Sequence, residues 1–125
     1  MTYKLFWIAC AGALGSISRY LLTIGVQRVA GPGFPWGTTT VNIMGCFLFG
    51  LVSVIAVSRW EIGPDIKLII LAGFMGAFTT FSTFVAETGL LIENAAIFRA
   101  MGNLSVQVVG GMVAFFVGQM LGRLI

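Results

Sequence analysis

The sequence predicts an all-α membrane protein of four transmembrane helices, organised as a single domain over residues 1–125. Three observations predict it. Of the 125 residues 58% are hydrophobic and 9% are charged, where soluble domains run near a quarter charged. The mean hydropathy is +1.03. The charges also gather in short clusters, and between them lie stretches long enough to cross a bilayer core of roughly 30 Å, which takes about 20 apolar residues per helix. Four such spans use about 80 residues and leave about 45 for ends and connections. That is too little for a separate soluble domain, and a water-soluble enzyme is excluded.

The first span, about 5–27, carries one charge, Arg19, among Leu, Ile, Ala, Gly and aromatic residues. It does not read as a cleavable signal peptide, because only Lys4 precedes it as a basic residue and its apolar stretch is long enough to cross. Residues 31–37 hold three glycines and two prolines and read as a loop. The second span, 38–58, is uncharged. Arg59, Trp60, Glu61, Gly63, Pro64, Asp65 and Lys67 then crowd together as an aqueous turn with an interfacial tryptophan. The third span, 68–92, looks interrupted. Glu93 to Arg99 forms the next connection, and the fourth span, 100–122, ends at Arg123.

No internal repeat is evident. Many of the 17 glycines fall inside spans, where small residues let helix backbones approach closely. An even number of spans puts both termini and the 59–67 turn on one side, with Lys4, Arg59, Lys67 and Arg123, against Arg28 and Arg99 on the other. This bias is thin under the positive-inside rule, and such a chain is able to insert both ways. There is no histidine, so the commonest general base and metal ligand are missing. Cys10 and Cys46 read as small apolar packing residues. With a net charge of +3 and no basic run, nucleic acid is excluded as a partner.

Polar groups at membrane depth are costly and each needs an account. Arg19 either snorkels to the headgroups or supplies a fixed positive charge to a wet vestibule. Thr38, Asn42 and Gly45 or Cys46 share one face of the second helix. Asn42 either bonds a neighbouring helix or offers its N–H₂ group to a passing anion. Asn103 and Gln107, four residues apart, repeat the theme in the fourth span, with Gly111 continuing the face. The third span is the most informative: Gly73, Gly76, Thr79, Thr80, Phe81, Ser82, Thr83 and Phe84 cluster near its middle. Such a stretch predicts a broken helix, which is tolerated at this depth only when buried in protein or lining a wet cavity. Its freed carbonyls suit a cation. Phe81 and Phe84 present ring edges of partial positive charge to nearly the same side, where a small anion is solvated without a full ionic partner.

These residues carry a resemblance. Gly12-x-x-Gly15-x-x-x-Arg19, Pro35-Trp36-Gly37-Thr38-x-x-Val41-Asn42-x-x-Gly45, and Gly73-x-x-Gly76-x-x-Thr79-Thr80-Phe81-Ser82-Thr83-Phe84-x-x-Glu87 stand in order along the chain. The sequence thereby resembles the CrcB/Fluc family of fluoride channels over nearly its full length. The resemblance implies an antiparallel, dual-topology homodimer with two anion pores in a bacterial inner membrane, conducting fluoride passively and selectively and so protecting the cell against it. It assigns Phe81 and Phe84 to the pore phenylalanine pair, Asn42 to the pore asparagine, and Thr38, Ser82 and Thr83 to matching polar positions. It gives the carbonyls of Gly76 and Thr79 to a structural sodium ion (Na+) at the dimer centre and Arg19 to the vestibule. The fourth span departs from the family pattern, with Asn103 and Gln107 where hydroxyl residues are common.

Two rivals are weighed beside it. A small multidrug or guanidinium exporter needs a membrane-embedded carboxylate, carried in such proteins by the first span, and residues 5–27 hold no acid. Glu87 lies in the third span instead. A structural subunit of a larger complex accounts for the glycines and short loops, but not for the Thr/Ser/Phe break or the two amide faces.

Overall fold

The computed structural model describes residues 1–58 and 62–125. The expected turn residues Arg59, Trp60 and Glu61 lie outside the described residues. Five helices follow in order: α1 (Thr2–Ala30), α2 (Trp36–Ser58), α3 (64–78), α4 (Phe81–Glu93) and α5 (Ile97–Leu124). Among the described residues, four spans are long and apolar enough to cross a membrane: α1, α2, α3 with α4 together, and α5. At 29 residues α1 is about 44 Å long at ~1.5 Å per residue. It exceeds the hydrocarbon core and must tilt or reach into the headgroups.

The ends differ from the sequence reading in three places, and in the first, Pro64, Asp65 and Lys67, expected in the aqueous turn, already belong to α3 because Pro64 opens a helix at its first position. The loop expected over 31–37 closes sooner, because Trp36 and Gly37 already belong to α2. Pro35 supplies the carbonyl that receives the Thr39 N–H at 3.0 Å and its hydroxyl at 2.8 Å, so the first turn is satisfied from its own preceding residue. Gln27 holds what remains of the loop, donating to the carbonyls of Gly31 and Phe34 while its oxygen accepts the Gly37 N–H at 3.0 Å. The connection expected from Glu93 to Arg99 likewise shrinks to 94–96, with Arg99 inside α5.

That short connection is possible because α4 ends in a Schellman motif. The Ala96 N–H reaches back to the Leu91 carbonyl at 2.8 Å and the Ala95 N–H to the Ile92 carbonyl at 2.9 Å. The motif needs a left-handed residue, and here it is Ala95 at φ 56, where a Cβ is disfavoured. Ala95→Gly is therefore expected to raise the unfolding free energy by about 0.5–1 kcal/mol, read as a higher unfolding temperature in detergent.

α2 is the central helix. It packs against α1 on one side and the C-terminal half of α5 on the other, while α1 covers α3. Glycine sets the closest approach: a Cβ at Gly118 would stand 2.1 Å from the Phe47 carbonyl oxygen, and one at Gly50 2.1 Å from that of Phe115. With no hydrophobic drive between helices in lipid, this backbone-to-backbone packing joins α2 to α5. Lys4 and Asp65 meet at 2.6 Å, which puts the starts of α1 and α3 on one side, as an even number of spans requires.

The third span breaks at its middle, as the sequence predicts. Thr79 (φ −82, ψ 159) and Thr80 (φ −148, ψ 112) are extended. Thr80 then caps α4, its hydroxyl accepting the Thr83 N–H at 3.2 Å and bonding the Thr83 hydroxyl at 2.9 Å. Two features are new. Residues Ile69–Met75 of α3 and Val106–Gly110 of α5 are wound as π-helix, and π turns often accompany functional sites.

Candidate functional site

The break exposes backbone groups that water cannot satisfy, and α2 satisfies them. Asn42 accepts the Thr80 N–H at 2.8 Å and donates Nδ2 to the Thr80 carbonyl at 3.0 Å. Its amide pairs with that residue as a neighbouring β-strand would. The second Nδ2 hydrogen goes to Gln107 Oε1 at 2.6 Å. Of the two readings open for Asn42, the bonding one is thus realised, and both of its N–H groups are committed within the chain.

The network continues through the fourth span. Gln107 Nε2 donates to Asn103 Oδ1 at 2.8 Å, Asn103 Nδ2 to the Thr88 hydroxyl at 2.9 Å, and that hydroxyl to the Phe84 carbonyl at 2.8 Å. The Thr39 hydroxyl lies 3.4 Å from Asn103 Oδ1. Asn103 is fully buried, at 0% exposure, as an amide must be when its partners replace water. Thr38, also buried, turns elsewhere and donates to Glu87 Oε1 at 2.7 Å. Glu87 Oε2 is buried with no hydrogen-bond partner among the described residues.

Beside this network runs a groove of about 300 Å³. Four of the residues expected at an anion path line it together: Asn42, Phe81, Phe84 and Gln107. Thr38, Ser82, Thr83 and Asn103 do not. Thr38 and Asn103 are buried behind the groove, Thr83 is tied to the Thr80 cap, and Ser82 is exposed on the outer side of α4. The two rings sit 5.7 Å apart, tilted by 59°, close enough to act on one small ion. Their surroundings differ sharply, since Phe84 is 5% exposed and Phe81 is 75% exposed. The face they share is therefore half interior and half outer surface.

Sequence reasoning missed part of the lining. Gly45 and Cys46 were placed on the right face, but Phe49 and Phe115, whose rings lie 6.5 Å apart, close the far end of the groove with Val108. Phe49 follows Asn42 by seven residues, so helical spacing marked it, yet an outward-facing phenylalanine has the same signature. Thr88 had no signal beyond its distance of four from Phe84.

Arg19 bonds the chain at the break. Its guanidinium reaches the Thr79 carbonyl at 3.4 Å, a long bond that places a positive charge beside the break. The two expected cation ligands are adjacent to it. The Thr80 N–H, which would bond the Gly76 carbonyl in an unbroken helix, goes to Asn42 instead, and this frees the Gly76 oxygen from its helical donor.

The comparisons with known proteins agree with one another. The family described as CrcB-like protein, Camphor Resistance (CrcB), matches residues 6–119. A protein of Solidesulfovibrio magneticus named "Fluoride-specific ion channel FluC" is 49% identical over 125 residues, covering the whole of both chains. Proteins of the same name from Nitrosococcus oceani and Desulforapulum autotrophicum are 46% and 44% identical, again over the whole of both chains.

Proposed function

The chain belongs to the CrcB family, and from that premise we propose that it is a fluoride-selective ion channel, exporting fluoride passively across a bacterial inner membrane. The observation that carries the reading is the convergence of the Phe81 and Phe84 rings with the amides of Asn42 and Gln107 on one groove beside a helix break. Fluoride is small and strongly hydrated, so a selective path must replace its water with several donors held close together. Ring edges and amide N–H groups do this without a full positive charge, and an ion held so lightly is able to leave again. Among the described residues no Lys or Arg lines the groove. Arg19, near the break, attracts anions to the entrance without pairing with them inside.

The exporter reading loses its support. It needs an exchanging carboxylate in the first span, and α1 has none. Glu87 is bonded to Thr38 behind the groove. No enzymatic step is required by the family or by the site.

The channel works as an antiparallel dimer of identical chains. Phe81 presents a large apolar ring at the outer edge of the groove, and a second copy supplies the missing wall. A sodium ion between two copies fits the donor set: the Gly76 and Thr79 carbonyls are neutral oxygens suited to a hard monovalent cation. The long contact from Arg19 leaves the Thr79 oxygen a second lone pair. Such an ion supplies positive charge and a bond between chains.

Purified protein in liposomes tests the function. Fluoride loaded inside is expected to leave rapidly through the protein, while chloride loaded in parallel stays. Equal retention of both ions by folded protein would refute the channel.

A further inference from the structure

The chain of amides has a direction, and one backbone group sets it. The Thr80 N–H can only donate, so the Asn42 oxygen must face it and Nδ2 must face Gln107. Gln107 then has to present its oxygen to Asn42 and its Nε2 to Asn103. Asn103 in turn presents Nδ2 to Thr88, whose hydroxyl hydrogen is left to the Phe84 carbonyl. In this state the groove-lining Gln107 turns an acceptor toward Asn42 where an anion needs a donor, and both Asn42 hydrogens are used.

We propose that this chain reverses as a unit when fluoride arrives, with Asn103 and Thr88 as the positioning residues that allow Gln107 to become a donor. Fluoride takes the Asn42 hydrogen that Gln107 Oε1 accepts. The Gln107 amide then flips and turns Nε2 onto the anion and Oε1 toward Asn103. That flip is tolerable only if Asn103 flips too, so that its Nδ2 meets the Gln107 oxygen. The Asn103 oxygen then faces Thr88, and the Thr88 hydroxyl swings its hydrogen from the Phe84 carbonyl to Asn103. Phe84 lies within helix α4, where a carbonyl keeps its backbone donor and does not depend on a second one. The Thr39 hydroxyl beside Asn103 donates to Pro35, and its lone pairs accept from Asn103 Nδ2 in the flipped state.

The hydrogen bonds balance. The bonds from Asn42 to Gln107 and from Thr88 to Phe84 are given up, two bonds to the anion replace them, and the inner bonds exchange donor for acceptor. A hydroxyl at the far end is what makes the reversal affordable, since it alone in the chain both donates and accepts through one atom. When the anion leaves, the Asn42 hydrogen recaptures Gln107 and the chain resets. The inference rests on the channel reading and adds to it a gate that opens only for a ligand able to accept two amide N–H bonds at once.

Thr88 is buried and does not line the groove, so it serves as the test. In liposomes, Thr88→Val is expected to lower fluoride efflux by about tenfold, the size of one buried hydrogen bond lost from the pathway, and Thr88→Ser to restore it. Thr88→Ala removes the same hydroxyl if the valine variant fails to assemble. The side-chain amide signals of Asn42, Gln107 and Asn103, followed by NMR in bilayers, are expected to move together with sodium fluoride and not with sodium chloride. In the valine variant only Asn42 should respond. Wild-type efflux in both Thr88→Val and Thr88→Ala would overturn the relay, and so would an Asn103 signal indifferent to fluoride in a conducting wild-type protein. A wild-type protein that passes no fluoride refutes the channel reading separately, and the relay then stands or falls on the amide shifts alone.

Discussion

Replacing Phe81 by alanine is expected to lower fluoride efflux by about a hundredfold, the effect of removing one preorganised electrostatic partner from an ion's path. The fold of the single chain should barely notice. Phe81 is 75% exposed, and a truncation at such a position usually changes stability by no more than about 0.5 kcal/mol. Phe84 makes the instructive contrast. At 5% exposure it belongs to the packed interior, where Phe→Ala costs about 3–5 kcal/mol, so Phe84→Ala should reduce flux and stability together. Efflux and unfolding temperature measured on both variants separate the two roles. Unchanged flux in Phe81→Ala would remove the ring pair from the mechanism.

Asn42→Ala is expected to loosen the helix break itself. It leaves the N–H of Thr80 without a partner at membrane depth, at about 1–3 kcal/mol, while the Thr80 carbonyl loses its bond from Asn42 but, as the N-cap of α4, keeps the first bond of that helix. A loss of about 1–3 kcal/mol in unfolding free energy should follow, together with much faster hydrogen exchange at the Thr80 amide. The same substitution releases Gln107 from its donor, so the break and the relay loosen at once. A Thr80 amide as protected in the variant as in the wild type would show that something other than Asn42 holds the break.

Much of this architecture was legible in the sequence, for identifiable reasons. Hydropathy alone locates a span, because lipid demands about 20 apolar residues whatever the neighbours are. The break was legible because glycines and β-branched hydroxyl residues gather where a plain helix has no use for them. Helix ends were less so: Trp36, Gly37 and Ile97 to Arg99 look like loop or connection, yet the Pro35 carbonyl and the Schellman turn at Ala95 draw them into helices. The π turns left no trace, since shifting a hydrogen bond by one residue changes neither hydropathy nor composition. The amide spacing of Asn103 and Gln107 marked a polar face, but not the direction of its hydrogen bonds. That direction comes from Thr80, which Asn42 reaches where Gly45 leaves room for Thr79 against α2.

The central claim is selective fluoride conduction, and the most direct measurement of it is the reversal potential across a planar bilayer holding the purified protein. With equal chloride on both sides and a tenfold fluoride gradient, the account predicts a reversal near the fluoride equilibrium potential, about 59 mV for a monovalent ion. A reversal that stays at zero while current flows would mean that fluoride is not the ion selected, and would contradict it.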